Sequence, residues 1–140
     1  ARKFLNKNGL DYPHGTGHGV GYFLNVHEGP IAISKGYKIN LKPGHVISNE
    51  PGFYKKGKFG IRIENMIYVK RIKSKVFFEN LTMVPIDKEL INFNLLNKKE
   101  KNYLLNYNLR IYSKLEKYLS YKEKFWLLSQ FWNFFKISLV

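Results

Sequence analysis

Several residue types and patterns are scarce in this chain of 140 residues, and each scarcity narrows what the protein can be. It contains no cysteine, which excludes disulfides and thiolate metal sites and fits a reducing compartment. No uninterrupted apolar run reaches the roughly 18 residues that a membrane-spanning helix needs. The N-terminal stretch ARKFLNKNGLDYPHG also lacks the apolar core of a secretory signal. We therefore expect a cytoplasmic protein with no membrane partner.

Acidic residues are also few, with 10 Asp and Glu against 24 Lys and Arg, so the net charge is +14. A charge of this size can indicate nucleic-acid binding where the basic residues are clustered. Here the lysines are scattered from Lys3 to Lys136, and the densest groups, in residues 55–58 and 70–75, are typical of a solvated surface. We expect no nucleic-acid partner, and a charge-driven binding module remains an alternative that salt-dependent binding would reveal.

Glycine is missing from the second half of the chain, since all eleven glycines lie before residue 61. This shift separates a turn-rich, β-like portion, residues 1 to about 86, from the remainder. Residues 44–52 and 60–70 are rich in β-branched residues between Gly or Pro boundaries, which predicts two strands. Residues 77–86 predict a further short strand, closed at an edge by Pro85.

From residue 87 onward the spacing of apolar residues predicts helices. Asn97, with Glu100 three residues later, resembles a capping box. The apolar residues that follow would gather on one helix face: Leu105, Leu109, Tyr112, Leu115 and Leu119. Residues 122–137 are apolar nearly all round, which predicts that they are buried, bound to a partner or lying on a membrane surface. We expect them to pack at an edge or against another subunit.

Three of the four histidines lie in residues 14–30, HGTGHGVGYFLNVHEGP, among five glycines. Alternating glycines disfavour a helix and predict an extended segment. His14 and His18 would then share a face about 13 Å apart, at roughly 3.3 Å per residue, which is too far for one ion. If one is a metal ligand, the other has a different task, and a hydrogen-bonded structural role is the alternative for each. The glycines would let another backbone layer or a ligand approach the opposite face.

Two carboxylates stand in unusual surroundings. Glu50 ends a predicted strand, and Pro51 holds it in an extended conformation on a rigid mount. Glu64 lies within an apolar strand, on the same face as Arg62. A carboxylate buried there would need a partner, and either a salt bridge with Arg62 or a metal ion would supply it.

The stretches HGTGHGVG, NVHEGP, SNEPGFY and GIRIEN, in that order, resemble the X-Pro aminopeptidases (aminopeptidase P) of the pita-bread metallopeptidase family. The resemblance covers residues 1–128, and residues 129–140 form an apolar tail to which no role is assigned. It implies an α+β fold, the C-terminal half of a pita-bread domain: a curved antiparallel sheet covered by helices, with the site on its concave face and helices at the C-terminus. Prolidases, methionine aminopeptidases and creatinase relatives share this fold and are alternatives, as is a pseudoenzyme that binds proteins.

The resemblance implies roles for six residues. His18, Glu50 and Glu64 would be metal ligands, and His14 and His27 would contact the substrate. Arg62 would lie behind the ligands and help to bind the substrate. Glu64 would bridge to a second metal. Glu50 would also act as general base, and His27 would stabilise the tetrahedral state or relay a proton to the leaving proline nitrogen. His45 matches no family role.

The resemblance also implies two divalent metal ions, with manganese expected and zinc, cobalt and iron as alternatives. They would activate water for hydrolysis of a peptide with proline in second position. The family's two further aspartate ligands, spaced about ten residues apart upstream, have no counterpart among the ten acids here. Because the chain also lacks an initiator methionine, we expect a fragment of a longer, homodimeric enzyme that is inactive alone.

Overall fold

The computed structural model describes residues 1–23 and 25–131, and the chain forms two compact units, Ala1–Thr82 and Met83–Val140. The boundary lies close to the composition shift near residue 86. The first unit contains α1 (Lys3–Asn6), β1 (Gly17–His18), β2 (Ala32–Ile33), β3 (Val46–Asn49), β4 (Gly52–Lys55), β5 (Phe59–Arg62), β6 (Asn65–Ile72) and β7 (Lys75–Asn80). The second contains 3₁₀ turns at Lys88–Leu90, Phe93–Leu95 and Glu116–Tyr118, and the helices α2 (Lys98–Leu115) and α3 (Tyr121–Ser129).

The described strands of the first unit all pair antiparallel. β6 lies between β3 and β7, β2 pairs with β1, and β4 and β5 form a hairpin. β1 runs beside β3 through a bridge between Gly19 and Ile47. The Glu50 N–H also donates to the Thr16 carbonyl oxygen at 2.7 Å. These contacts bring the glycine-rich segment alongside the strand that precedes Glu50.

The prediction of a single strand over residues 60–70 is wrong in one respect. The structure has two strands there, β5 and β6, with residues 63–64 between them. The interruption lies opposite Pro51, which has no N–H to donate to the ladder. The register is nevertheless the same on both sides, with the pairs Asn49–Asn65 and Gly52–Arg62.

The next strand is also displaced from its prediction. β7 begins at Lys75 and ends at Asn80, so Pro85 does not close it. Its beginning is set by the tight turn after β6, in which Lys73 adopts a positive φ of 53°. The sequence pattern shows the strand but not its ends.

Two glycines of the first unit are required by close backbone approach. A Cβ on Gly17 would lie 1.9 Å from the Ser48 carbonyl oxygen, and one on Gly19 would lie 2.1 Å from the Glu28 carbonyl oxygen. Any side chain at either position would force β1 away from its neighbours. The prediction that these glycines admit another backbone layer is therefore confirmed at both positions.

The helical unit confirms the predicted capping box. The Asn97 side chain accepts the Glu100 backbone N–H, and the Glu100 side chain accepts the Asn97 N–H. Its core is a cluster of buried residues from α2 and the C-terminal segment: Tyr107, Ile111, Leu127 and Phe131. The prediction that Leu109 lies on the packed face of α2 is wrong, because Leu109 is 39% exposed and is not part of this cluster.

The apolar C-terminal segment is only partly buried. Leu127 and Phe131 are buried, whereas Phe125 and Trp126 are 69% and 60% exposed. The part of the prediction that concerns residues 132–137 lies outside the described residues, as do residues 132–140 of the apolar tail. Among the helices described, none is long and apolar enough to cross a membrane.

A candidate metal and substrate site

A cavity of about 380 Å³ opens in the first unit and collects most of the predicted site residues. Its walls are formed by His14, Gly15, Gly17, His18, His27, Ala32, Ser34, Tyr37, Glu50 and Arg62. Five of the six predicted site residues thus line one cavity, although they are spread over residues 14–62. The sixth, Glu64, is not part of this lining.

The strand register explains why His18 and Glu50 meet. Ser48 and Glu50 are two residues apart and so point to the same side of the sheet. β1 lies beside β3 with Gly19 opposite Ile47, which places His18 opposite Ser48. Residues opposite one another in an antiparallel pair share a face, and a long side chain reaches the diagonal neighbour. His18 therefore reaches Glu50 across the two strands.

The imidazole of His18 is held in one tautomer. Its Nδ1 lies 2.8 Å from the Gly19 carbonyl oxygen, which can only accept, so Nδ1 carries the hydrogen. In the neutral ring, Nε2 then presents a lone pair, and it lies 3.2 Å from Glu50 Oε1. Two acceptors repel at this distance unless a proton or a metal cation lies between them. The separation also matches two ligands on one ion, which lie about 3 Å apart when each bond is near 2.1 Å.

Glu50 is nearly buried, at 8% exposed, and its two carboxylate oxygens have different partners. Oε1 accepts a hydrogen bond from the Ser48 hydroxyl at 2.8 Å. Oε2 lies 3.4 Å from Nη1 of Arg62. These two contacts hold the carboxylate in one orientation.

Glu64 occupies a different environment from the one expected. It is exposed, and the salt bridge considered between it and Arg62 is replaced by the ion pair of Arg62 with Glu50. The shared register of the flanking strands places Glu64 opposite Glu50. Within residues 1–23 and 25–131, no group of three or more His, Asp and Glu side chains lies close enough to hold a metal ion. The contacts of the described chain therefore define a pair, His18 and Glu50, with Glu64 next to it in register.

His14 belongs to a set of hydrogen bonds that leads through Tyr54 to Arg62, the ion-pair partner of Glu50. Its Nδ1 lies 2.7 Å from the Gly15 carbonyl oxygen and so carries the hydrogen, and its Nε2 lies 2.8 Å from the Tyr54 hydroxyl. Arg62 Nε donates to the same hydroxyl oxygen at 2.9 Å. In the neutral ring, the Tyr54 hydroxyl therefore donates to His14 and accepts from Arg62. Tyr54 thus joins His14 to Arg62, the arginine that contacts Glu50.

The charge of Arg62 is stabilised by its surroundings. The hydrogen bond to Tyr54 raises the pKa of Arg62 above its usual value, and the nearby carboxylates of Glu50 and Glu64 raise it further. A permanently charged guanidinium thus lies beside the Glu50 carboxylate. Arg62 therefore interacts electrostatically with both Glu50 and Glu64.

His27 reaches the cavity from an exposed loop. Its ring lies against that of His18, with centroids 4.0 Å apart and planes tilted by 33°. The loop is fastened to β1 because the Glu28 N–H donates to the Gly19 carbonyl oxygen at 2.9 Å. By contrast, the fourth histidine, His45, lies outside the cavity lining and its Nδ1 accepts the Lys42 N–H at 3.1 Å in a turn.

Arg2 holds the segment that presents His14. Its guanidinium donates to the carbonyl oxygens of Tyr12, at 2.8 Å, and of His14, and it forms an ion pair with Asp11. It also lies 3.8 Å above the centre of the Tyr12 ring. Because the planar guanidinium makes several directed bonds at once, it fixes the backbone leading to His14.

Comparison with known proteins identifies the family of this chain. The sequence profile of metallopeptidase family M24 matches residues 1–71, and that of the C-terminal region of peptidase M24 matches residues 75–131. The chain belongs to metallopeptidase family M24. The resemblance read from the four motifs is thus confirmed at the level of the family.

Curated relatives carry a more specific name. A probable Xaa-Pro aminopeptidase P of Botryotinia fuckeliana is 55% identical over 81% of this chain and 19% of its own length. A second, of Fusarium vanettenii, is 52% identical over 84% of this chain and 21% of its own length. The chain thus spans about a fifth of the length of these M24 relatives.

A solved structure matches the fold of this M24 chain. It is the X-prolyl aminopeptidase of Caenorhabditis elegans, described as a cytosolic enzyme with a di-nuclear active site. It superposes with a TM-score of 0.81 at 41% identity, covering 92% of this chain and 22% of that one. The predicted α+β, pita-bread fold with antiparallel strands is confirmed by this match.

Proposed function

We propose that this chain is the C-terminal part of the catalytic domain of a metal-dependent aminopeptidase, one that releases the N-terminal residue from peptides with proline in second position. The observation that carries the proposal is the pair formed by His18 Nε2 and Glu50 Oε1, 3.2 Å apart in a cavity that His14, His27 and Arg62 also line. The names of the M24 relatives and the di-nuclear neighbour support the substrate class and the metal dependence.

The donor set fits divalent metal ions. His18 and Glu50 would hold the first ion, and Glu64, which lies opposite Glu50 in register, would be shared between that ion and a second. One imidazole with carboxylates suits manganese, which we propose as the physiological metal, and also zinc, cobalt or iron. Such a pair of ions supplies Lewis acidity and lowers the pKa of water toward neutrality. The remaining ligands, two aspartates, would come from sequence outside this chain.

The chain's own residues would then have separate roles in hydrolysis. Glu50, paired with Arg62 and oriented by Ser48, would accept a proton as general base. His27, beside His18 at the cavity wall, would stabilise developing charge on the scissile carbonyl oxygen or pass a proton to the leaving proline nitrogen. His14 would contact the substrate, with its ring orientation fixed by the Gly15 carbonyl and the Tyr54 hydroxyl.

The proposal extends to the longer protein. We infer that the active form is a full-length chain in which residues 1–128 complete an M24 catalytic domain and residues 129–140 form its tail. We further propose that it is cytoplasmic, as the C. elegans neighbour is described, and that it is a homodimer. Light scattering on the full-length protein measures the oligomeric state directly.

Substitution of Glu50 tests the proposal most simply. We expect the full-length protein to bind two equivalents of Mn²⁺ and to cleave a peptide with proline in second position, but not the same peptide with alanine there. Glu50→Gln removes a charged ligand and the base, so we expect kcat/KM to fall by about 100- to 10,000-fold and Mn²⁺ stoichiometry to drop. Glu89→Gln, at an exposed position in the second unit, is the matched control and should match the wild type in both measurements. Wild-type protein without Mn²⁺ binding or proline-dependent cleavage would contradict the proposal.

A further inference from the structure

Ser48 lies behind the cavity wall, where it contacts both residues of the proposed metal-binding pair. It is 0% exposed, so its hydroxyl depends on protein partners rather than solvent. Its hydroxyl oxygen accepts the His18 backbone N–H at 3.0 Å. The same hydroxyl donates to Glu50 Oε1 at 2.8 Å. One buried oxygen thus connects the backbone of one ligand to the carboxylate of the other.

We propose that Ser48 is a positioning residue that sets the separation of His18 Nε2 and Glu50 Oε1, and hence the affinity of the site for a divalent cation. This inference rests on the proposed function, because it concerns how the same site is held together. It assigns Ser48 no contact with the substrate or with the metal.

The direction of both hydrogen bonds is determined. A serine hydroxyl has a single hydrogen, and the His18 N–H is a donor that must meet an oxygen lone pair. The hydroxyl hydrogen is therefore free to point to Glu50 Oε1, and a hydrogen bond to a charged acceptor is stronger than one between neutral groups. Glu50 has three rotatable side-chain bonds, so this contact and the Arg62 ion pair together select one of its conformations.

Ser48 lies where β1 and β3 are in close contact, so its side chain can affect residues of both strands. A Cβ on Gly17 would lie 1.9 Å from the Ser48 carbonyl oxygen, so β1 and β3 are in close contact at this point. The Ser48 side chain spans this contact and faces the same side as His18 and Glu50. Removing its oxygen leaves two polar groups, the His18 N–H and Glu50 Oε1, without this partner, and both belong to proposed ligands.

Thr82 provides a matched control within the same unit. Its hydroxyl also accepts a strand backbone N–H, that of Met66, at 2.8 Å. Thr82 lies beyond the end of β7 and is not part of the cavity lining that contains His18 and Glu50. Thr82→Ala therefore removes a comparable hydroxyl from the first unit while leaving the residues of the cavity in place.

The test is titration of the full-length protein with Co²⁺ alone, followed by calorimetry and by the visible absorption bands of the bound ion. We expect Ser48→Ala to weaken Co²⁺ binding by about 10- to 100-fold, the usual range for groups that orient metal ligands, and to change the absorption spectrum. Ser48→Thr keeps the hydroxyl and should restore both. Thr82→Ala should bind Co²⁺ as the wild type does, whatever its melting temperature.

The outcomes separate this inference from the proposed function. Wild-type affinity and spectrum in Ser48→Ala would overturn the role of Ser48 and leave the metal site standing. If Ser48→Ala does not fold, Ser48→Val, which has the shape of the Ser48→Thr side chain without its hydroxyl, replaces it, and wild-type binding by that variant overturns the inference equally. Absence of Co²⁺ binding by the wild type, or undiminished binding by His18→Ala, would overturn both the inference and the proposed function.

Discussion

At the scale of single residues, the same local geometry prepares two histidines for different tasks. In both His14 and His18, Nδ1 is bonded to the carbonyl oxygen of the following glycine, at 2.7 and 2.8 Å. This contact places the ring hydrogen on Nδ1 and leaves Nε2 as an acceptor in the neutral ring. Nε2 of His14 then meets the Tyr54 hydroxyl, whereas that of His18 faces Glu50. The expectation that the two histidines have separate tasks is consistent with these separate partners.

Tyr54 gives the first prediction at this scale. Tyr54→Phe removes the hydroxyl that joins His14 to Arg62, so both side chains lose a hydrogen-bond partner. We expect kcat/KM of the full-length protein for an X-Pro peptide to fall by about tenfold or more, with Mn²⁺ stoichiometry unchanged because Tyr54 is not a proposed ligand. Steady-state kinetics and metal analysis of the purified variant measure the two effects.

Tyr121→Phe is the control for this variant, because Tyr121 is 87% exposed in the second unit. It should leave kcat/KM unchanged. Full activity in Tyr54→Phe would show that the bridge between His14 and Arg62 has no part in catalysis.

The site residues differ in how readily the sequence reveals them. His14, His18, His27, Glu50 and Arg62 were predicted from motifs and lie around one cavity. Ser48 and Tyr54 were missed, because a hydroxyl gains its role only from contacts such as that between Tyr54 and His14, 40 residues apart. One signal was available, since Ser48, Glu50 and Tyr54 are separated by even numbers of residues and so share a strand face.

At the scale of secondary-structure elements, short-range signals were reliable and long-range ones were not. The capping box at Asn97 was predicted correctly because both of its hydrogen bonds lie within four residues. The break between β5 and β6 was missed because it depends on Pro51, which lies opposite the break between β3 and β4. Leu109 was misplaced because the spacing of apolar residues does not show which side of α2 meets the core.

The segment between α1 and β1, which contains Asp11, gives a prediction about how stability depends on pH. The Tyr12 backbone N–H and the Arg2 guanidinium hold the pKa of Asp11 below its ordinary value of 3.8. A carboxyl whose folded pKa is lowered stabilises the fold fully above its unfolded pKa and loses this contribution as the pH falls through the folded value. We expect thermal unfolding of the wild type to shift to lower temperature below about pH 4, measured by circular dichroism.

Asp11→Asn removes the titrating group and isolates this contribution. The variant should be less stable than the wild type at pH 7, and the difference in melting temperature should shrink as the pH falls below 3.8. A difference that stays constant from pH 7 to pH 2 would show that ionisation of Asp11 does not stabilise the segment before His14.

At the scale of the whole molecule, the proposed function requires more metal ligands than this chain supplies. It spans about a fifth of its M24 relatives, and its described residues hold no group of three or more His, Asp and Glu able to bind a metal. Two ions need more ligands than His18, Glu50 and Glu64 can provide. The fold of this segment was predictable from its motifs, whereas the proposed completion of the site by upstream aspartates could not be read from the residues present.

This division predicts that the 140-residue chain alone binds Mn²⁺ weakly and does not hydrolyse X-Pro peptides, whereas the full-length protein does both. Calorimetric titration and a peptide-cleavage assay on both proteins at equal concentration make the comparison. Proline-dependent cleavage by the purified 140-residue chain would show that the ligand set is complete without upstream sequence.

The central claim, that His18 and Glu50 are ligands of the same metal ion, is tested most directly by anomalous diffraction from crystals of the full-length protein grown with Mn²⁺. The account predicts an anomalous peak about 2.0–2.2 Å from both His18 Nε2 and a carboxylate oxygen of Glu50, with a second peak beside Glu64. Density that leaves His18 and Glu50 in direct contact, with manganese bound elsewhere or not at all, would contradict it.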